Sequence, residues 1–359
     1  MPLQWMLGLR RLNLDAIWLE LLPATNDAQA DEARIKNFQN QLRTHGLAGR
    51  YCLLHHKSAS DTHDLDEMRC IGISKRELLD RLGGPNVVLN LAYSIHPPLL
   101  LKFERRVFCD LDPSEIFYWM TKMEVGQSCH HEFWTIGLNV HGSDCQLPNS
   151  SLRWKTFHPL VDTKLFPLQP RPKRPKFTTV GQWYWGGAVE VAGEFPDLSK
   201  KVAFEPYLDL PSRIPETQFE LAMNITAEDP ERERLQRLGW KIVDPHRVAR
   251  SPGAYRRYLT GALGEFTAIK GVDVAWRTGW ISDRAAAFLA LGRPVITEDT
   301  GGAKFLPTEN GFSFVGNFDE AETAVREVLG HWLRLSREAR ACAVDVFDSA
   351  KNLKRILDL

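Results

Sequence analysis

Three stretches of the sequence hold side chains able to do chemistry. Residues 277–302, RTGWISDRAAAFLALGRPVITEDTGG, gather Arg277, Gly279, Ser282, Asp283 and Arg284, then Glu298, Asp299, Thr300, Gly301 and Gly302. Ser282 or Asp283 is placed to cap a helix of Ala and Leu, Gly292 to end it, and Pro294 to open a strand. After Ile296 the chain turns through hydroxyls, carboxylates and glycines at a strand's C-terminal end, where parallel sheets bind ligands. A helix N-terminus supplies free N–H groups and about half a positive charge, which suit a phosphate, and Arg277 and Arg284 add charge-assisted bonds. The chemistry expected is diphosphate binding. The plainer reading is a strand, turn and helix that only pack, with Arg284 paired to Asp283 or solvated.

The second stretch is Asp110-Leu111-Asp112, after an apolar run. Such a triplet can hold a divalent cation against phosphates. Here the reading is a cleft-facing pair instead, one carboxylate accepting a proton from an attacking hydroxyl; the alternative is Asp112 capping a helix begun by Pro113 and Ser114. The third is Cys129-His130-His131, with His141 and Cys145 downstream. Without paired C-x-x-C or H-x-x-x-H spacing, zinc is not expected. His131, or His130, is read as a base or acceptor contact at a cleft, with satisfied loop histidines as the alternative; His96 ranks below them. Gly181 brings backbone near a phosphate while Trp183 or Trp185 stacks on a base or packs in the core. Lys200, Lys201 and Glu205 read as surface charges.

The elements that must position these groups alternate. Helices are predicted over 5–12, 31–45 and 75–82 and just after Pro97, and strands over 15–21, 51–55, 86–91 and 106–111. After PLQPRPKRPK, residues 167–176, come strands over 177–183, 219–224, 241–243, 266–269, 294–297 and 311–314. Between them lie helices over 198–208, 230–238, 252–263, 283–291 and 319–335. The fold class expected is α/β, two Rossmann-like lobes with a cleft between them. The divisions expected are 1–166, a Pro-rich and basic linker at 167–176 acting as a solvated hinge, 177–335, and a helical tail over 336–359. The chain enters a helix almost directly after Met1-Pro2, so the first lobe is expected to lack its first strand, through truncation or an atypical architecture.

Composition limits the partners. At 359 residues, with 43% hydrophobic and 25% charged side chains, the chain is globular and long enough for two domains. Forty-five basic residues balance 45 acidic ones, so no net field favours nucleic acid. No apolar stretch approaches the roughly 20 residues of a membrane span. Six scattered cysteines without a leader read as reduced thiols in the cytoplasm.

Residues 279–314, GWISDRAAAFLALGRPVITEDTGGAKFLPTENGFSF, resemble the donor segment of GT-B-fold glycosyltransferases: a small-residue helix, G-x-P-V, then a Gly-containing turn. The likeness is nearest to a bacterial, largely uncharacterised group and extends to FTTVGQW (177–183), CDLDP (109–113), HHEFWTIG (130–137) and GSDCQLP (142–148). It implies a nucleotide diphosphate sugar donor on the C-terminal lobe, an acceptor on the N-terminal lobe, transfer in the cleft without an obligatory metal or other cofactor, and a tail that crosses back. The paired glutamates of many retaining members are replaced by Gly279 and Ala287, so retaining chemistry is not implied. Asp283, on the same helical face as Ala287, is the candidate substitute. A sugar-nucleotide epimerase and a noncatalytic nucleotide-sugar-binding or scaffold protein stand as alternatives, and a monomer or homodimer is expected.

Overall fold

The computed structural model describes residues 2–25, 27–56, 63–148, 151–187 and 189–359; the opening Met1 lies outside them. Thirteen strands form among them: β1 (Trp18–Leu22), β2 (Tyr51–His56), β3 (Met68–Gly72), β4 (Val87–Leu91), β5 (Arg105–Asp110), β6 (Glu132–Thr135), β7 (Trp154–Thr156), β8 (Lys176–Gly181), β9 (Gln218–Met223), β10 (Lys241–Val243), β11 (Gly264–Thr267), β12 (Val295–Thr297) and β13 (Phe312–Phe314). They assemble as three sheets in the orders β1-β2-β3, β4-β5-β6-β7 and β10-β9-β8-β11-β12-β13. The last two are wholly parallel, whereas β3 runs antiparallel to β2. The molecule is α/β and two-lobed, with the first two sheets in one lobe and the third in the other.

The second lobe is built as its residue types demand. β9 and β11 are buried along nearly their whole length, as strands covered on both faces must be. On one face Phe177, Phe219, Phe266, Phe204, Tyr207 and Trp240 form a continuous aromatic core. The helix Asp283–Ala290 covers the other, its alanines letting it lie close to the sheet. Its cap is the expected one: Ser282 Oγ accepts from Ala285 N at 2.9 Å. Gly292 ends it at φ +71°, a conformation that costs a side-chain-bearing residue dearly.

The first lobe departs from a single sheet. β1 and β4 each terminate a sheet, and among the described residues no strand joins them. Side chains bridge the break instead. The helix Pro2–Arg11 sends Trp5 and Leu9 into a cluster with Leu89 and Leu91 of β4, and Leu3, Met6 and Leu7 into one with Trp18 and Leu22 of β1. On the opposite side Leu19, Leu21 and Val88 share a third cluster. β3, β6 and β7 escape sequence reading; β6 and β7 span only 4 and 3 residues, and β3 carries Arg69 within it.

After the long helix Phe318–Cys342 the chain continues through a wide turn at Ala343–Phe347 into the helix Ser349–Ile356. That helix lies on Pro2–Arg11 so closely that a side chain at Gly8 would strike Leu353 and Ser349. Arg11 ties the contact through Asp348 at 2.8 Å and Asp162 at 3.3 Å. Residues 167–176 carry little regular structure before β8 begins, and the buried Arg293 binds the carbonyls of Gln169 and Pro170 at 3.3 and 2.9 Å. No helix among the described residues is long and apolar enough to cross a membrane.

Candidate functional site

The C-terminal ends of β5 and β6 face those of β8, β11 and β12 across the cleft, because parallel strands bring all their C-terminal ends to one edge. On the first-lobe side Asp110 ends β5. Its two oxygens accept from Asp112 N at 2.8 Å and from Thr135 Oγ1 at 2.5 Å, and it is fully buried. Burial pushes its carboxyl up to about 7. Asp110 therefore organises the turn, and with both oxygens engaged it does not reach into the cleft as a base. Asp112 stands at the N-cap position of the helix Pro113–Lys122 but makes no cap bond. Both its oxygens instead accept from Lys270 Nζ, at 2.8 and 2.6 Å.

His131 is not brought to this edge. It precedes β6 and pairs with Arg106 through Nδ1 at 3.1 Å and Nε2 at 2.9 Å, near the start of β5. Asp110 lies four strand steps beyond Arg106, roughly 13 Å at about 3.3 Å per residue. The expectation of a cleft-facing His131 is corrected: it sits, exposed, at the opposite end of the sheet. His130 is a satisfied core histidine, donating through Nδ1 to Gly126 O at 2.7 Å with Asn90 at 3.1 Å from Nε2. His141 meets Trp154 O, and His96 meets Tyr93 O and stacks on His63. Among the described residues no three His, Cys, Asp or Glu converge as metal ligands.

On the second-lobe side the predicted residues do converge, though several are committed to structure. Gly181 ends β8 beside Met223. Arg284, on the first turn of the helix Asp283–Ala290, ion-pairs with Glu265 and donates to Val180 O at 2.9 Å and Thr267 Oγ1 at 3.3 Å. With its side chain 14% exposed it braces the strand ends from beneath, and it is neither paired to Asp283 nor solvated. Glu298 is likewise internal, accepting from Ile269 N at 2.7 Å and Tyr207 at 3.2 Å; burial raises its carboxyl.

The turn after β12 belongs to the seam between the lobes. Asp299 Oδ1 accepts from Gly301 N and Ala303 N, Thr300 Oγ1 donates to Trp280 O at 2.7 Å, and Gly279 N donates to Thr300 O at 2.8 Å. Gly279 and Gly301, at φ +77° and +87°, bring this backbone against Asn139 of the first lobe, where a Cβ on Gly279 would collide with the Asn139 amide. Gly302 is closed over by Ile281. Arg277 donates to Asp144 at 2.7 Å with Asp299 3.6 Å away, and its carbonyl accepts from Asn139 Nδ2 at 2.7 Å. Lys304 holds the same Asp144, whose carboxyl these partners, Lys304 first, lower well below the usual range.

Two lysines were misjudged or missed in the sequence. Lys200 does not lie on the surface like Lys201 and Glu205, which pair with Glu231 and Arg234 there. Its Nζ reaches down to Ala268 O, and burial, with Arg284 nearby, lowers its ammonium to about 7. Lys270 lies three residues past the end of β11 and faces Asp112, Glu115 at 3.5 Å and, at 5.2 Å, the ring of Trp185. The signal was readable: in FTAIKG a lysine comes straight after an apolar run, at the ligand edge. Asp273, one turn on, is buried against Thr278 Oγ1 at 3.1 Å and raised to about 7 by that burial. Trp183 is wholly core, its ring beside Phe204. Above these residues Val189 and Leu198 lie against Tyr118, Val272 and Trp276, so the segment after β8 spans both lobes.

The site thus sets carboxylates on one lip of the cleft against cations and helix N–H groups on the other. No protein-family profile matches the chain, and no curated protein is similar to it in sequence. Solved structures are. HepE of Anabaena, in complex with UDP and glucose, shares 10% identity at a TM-score of 0.54, over 96% of this chain and 98% of its own. Sucrose-phosphate synthase from Thermosynechococcus elongatus shares 11% at 0.52, over 96% and 98%. The trehalose-6-phosphate protein of E. coli, bound with UDP-2-fluoro glucose, shares 11% at 0.53, over 99% and 94%. These are GT-B glycosyltransferases, and at such identities the likeness is one of architecture: the chain has the two-lobed GT-B fold over nearly its whole length.

Proposed function

We propose that this chain is a glycosyltransferase that moves a sugar from a nucleotide diphosphate sugar to an acceptor hydroxyl or amine without an obligatory metal. Residues 177–335 are the donor lobe, 1–166 the acceptor lobe, 167–176 the linker on which they close, and 336–359 the tail that ties them. The carrying observation is the convergence of Lys200, Lys270, Arg284 and the Ser282-capped helix N-terminus at the C-terminal edge of one parallel sheet, opposite Asp112. The fold shared with proteins solved with UDP or a UDP-sugar supports the same reading.

The roles follow from charge. As the bond from C1 to the diphosphate oxygen breaks, its electron pair stays on the leaving group, and Lys200, Lys270 and the helix N–H groups stabilise the growing negative charge. Arg284 holds the frame beneath them. As the acceptor oxygen bonds to C1, its proton passes to Asp112. Two of Lys270's contacts are acidic, which favours a second reading, a nucleotide-sugar binder without transfer. Product analysis with a panel of UDP, GDP and dTDP sugars separates the two.

Thermal stabilisation by that panel tests donor binding. Lys200→Met is expected to weaken affinity for the stabilising sugar nucleotide about tenfold or more by calorimetry, through loss of a charge-assisted bond. An unchanged affinity, or no stabilisation by any member, would end the donor assignment. Transfer is expected to survive EDTA.

A further inference from the structure

We propose that Lys270 exchanges partners, the Asp112 carboxylate in the conformation seen and a donor phosphate once the diphosphate binds, the exchange freeing Asp112 to take the acceptor's proton. The inference rests on the donor reading above and goes beyond it.

It comes from counting bonds. An ammonium has three N–H groups. Two go to the two oxygens of Asp112 at 2.8 and 2.6 Å; Glu115 Oε1 stands 3.5 Å away but accepts no hydrogen bond. The Trp185 ring covers the group at 5.2 Å, and the side chain is only 15% exposed. Burial pulls its pKa down, but Asp112, Asp273 and Glu115 outweigh that and leave it raised, so it remains a cation. While Asp112 holds two of its three N–H groups, Lys270 can offer a phosphate one at most. The pairing restrains Asp112 in turn: both its oxygens accept from Lys270 and Ser114 Oγ adds a contact at 3.3 Å, so although the side chain is 39% exposed, an acceptor hydroxyl must share the carboxylate with the ammonium.

The exchange is short. Lys200 binds the carbonyl of Ala268, two residues before Lys270, and the two ammoniums lie close enough for Lys270 to lower Lys200. A diphosphate settling on Lys200 brings several charged oxygens toward Lys270, against the single carboxylate of Asp112. Because Asp112 belongs to the first lobe and Lys270 to the second, losing the pair also loosens the seam at that point.

Calorimetric titration of UDP and of inorganic pyrophosphate into the full chain tests the exchange. Asp112→Asn removes the competing charge; if Asp112 holds Lys270 nine-tenths of the time, UDP binds about tenfold tighter to the variant. A misfolded variant cannot give that result. Lys270→Met is expected to bind UDP about tenfold more weakly, and Lys270→Arg to stay within about threefold of the wild type. In turnover with a donor, Asp112→Asn should lower KM and kcat together, a split that a merely structural pair would not produce. UDP affinity that is no tighter in Asp112→Asn, or unchanged in Lys270→Met, overturns the exchange while leaving donor binding intact. If the wild type and Asp112→Asn, both folded, bind none of UDP, GDP or dTDP, the donor reading fails and the exchange with it.

Discussion

The turn that ends β5 and the turn that ends β12 occupy equivalent places, each at the C-terminal edge of a parallel sheet, yet they are furnished oppositely. The first is acidic: Asp110 buried within the turn, Asp112 projecting, Glu115 behind. The second, with the neighbouring strand ends, is framed by Lys200, Lys270, Arg277 and Arg284. Each also contains one ionisable group sacrificed to structure, Asp110 on one side and Arg284 on the other. Edge position alone therefore does not make a residue functional. What distinguishes Asp112 and Lys270 is that their partners lie on the opposite lobe, so a motion of the lobes can release them.

Breaking the internal brace of the second lobe should have the largest effect. Arg284→Ala leaves Glu265 buried and unpaired, with an expected loss of about 3 to 5 kcal/mol by denaturant melting, whereas Arg284→Met with Glu265→Leu should recover most of it. The corresponding test on the first lobe is one of pH. Burial holds Asp110 at about 7, so the folded chain keeps a proton that the unfolded chain releases near pH 4. The stability tied to that neutral carboxyl is complete below about pH 4 and is lost as pH climbs through 7. Relative to Asp110→Asn, the wild type should lose at most roughly 1.4 kcal/mol per pH unit across that window. A constant difference between the two melting series would return Asp110 to the ordinary ionised carboxylates. The smallest effect belongs to the exposed bridge between Lys122 and Glu190: Glu190→Gln is expected to change stability by less than about 1 kcal/mol.

Much of the second lobe was legible because its signals are local. The Ser282 cap, the alanine run, Gly292 and the apolar run into Thr297 each constrain one short segment, and all appear within a residue or two of their predicted places. The parallel edge that collects the candidate residues follows from that alternation. What failed depended on tertiary partners. His131 had the right residue type in a polar stretch, but the pairing of Val107 with Glu132 puts it at the far end of its sheet. Lys200 sits in a charged Lys-Lys pair, and only the direction of its short helix sends one lysine inward and the other outward. The split of the first lobe's strands into two sheets was anticipated only as a missing strand; the helix Pro2–Arg11, whose side chains span the break, could not be placed from periodicity alone.

The seating of Ser349–Ile356 against Pro2–Arg11 makes two helices neighbours in space though they are remote in sequence. Ribosomal synthesis makes Pro2–Arg11 hundreds of residues before Ser349–Ile356, so the nascent first lobe stands with Trp5 and Gly8 uncovered on that side until the later helix emerges.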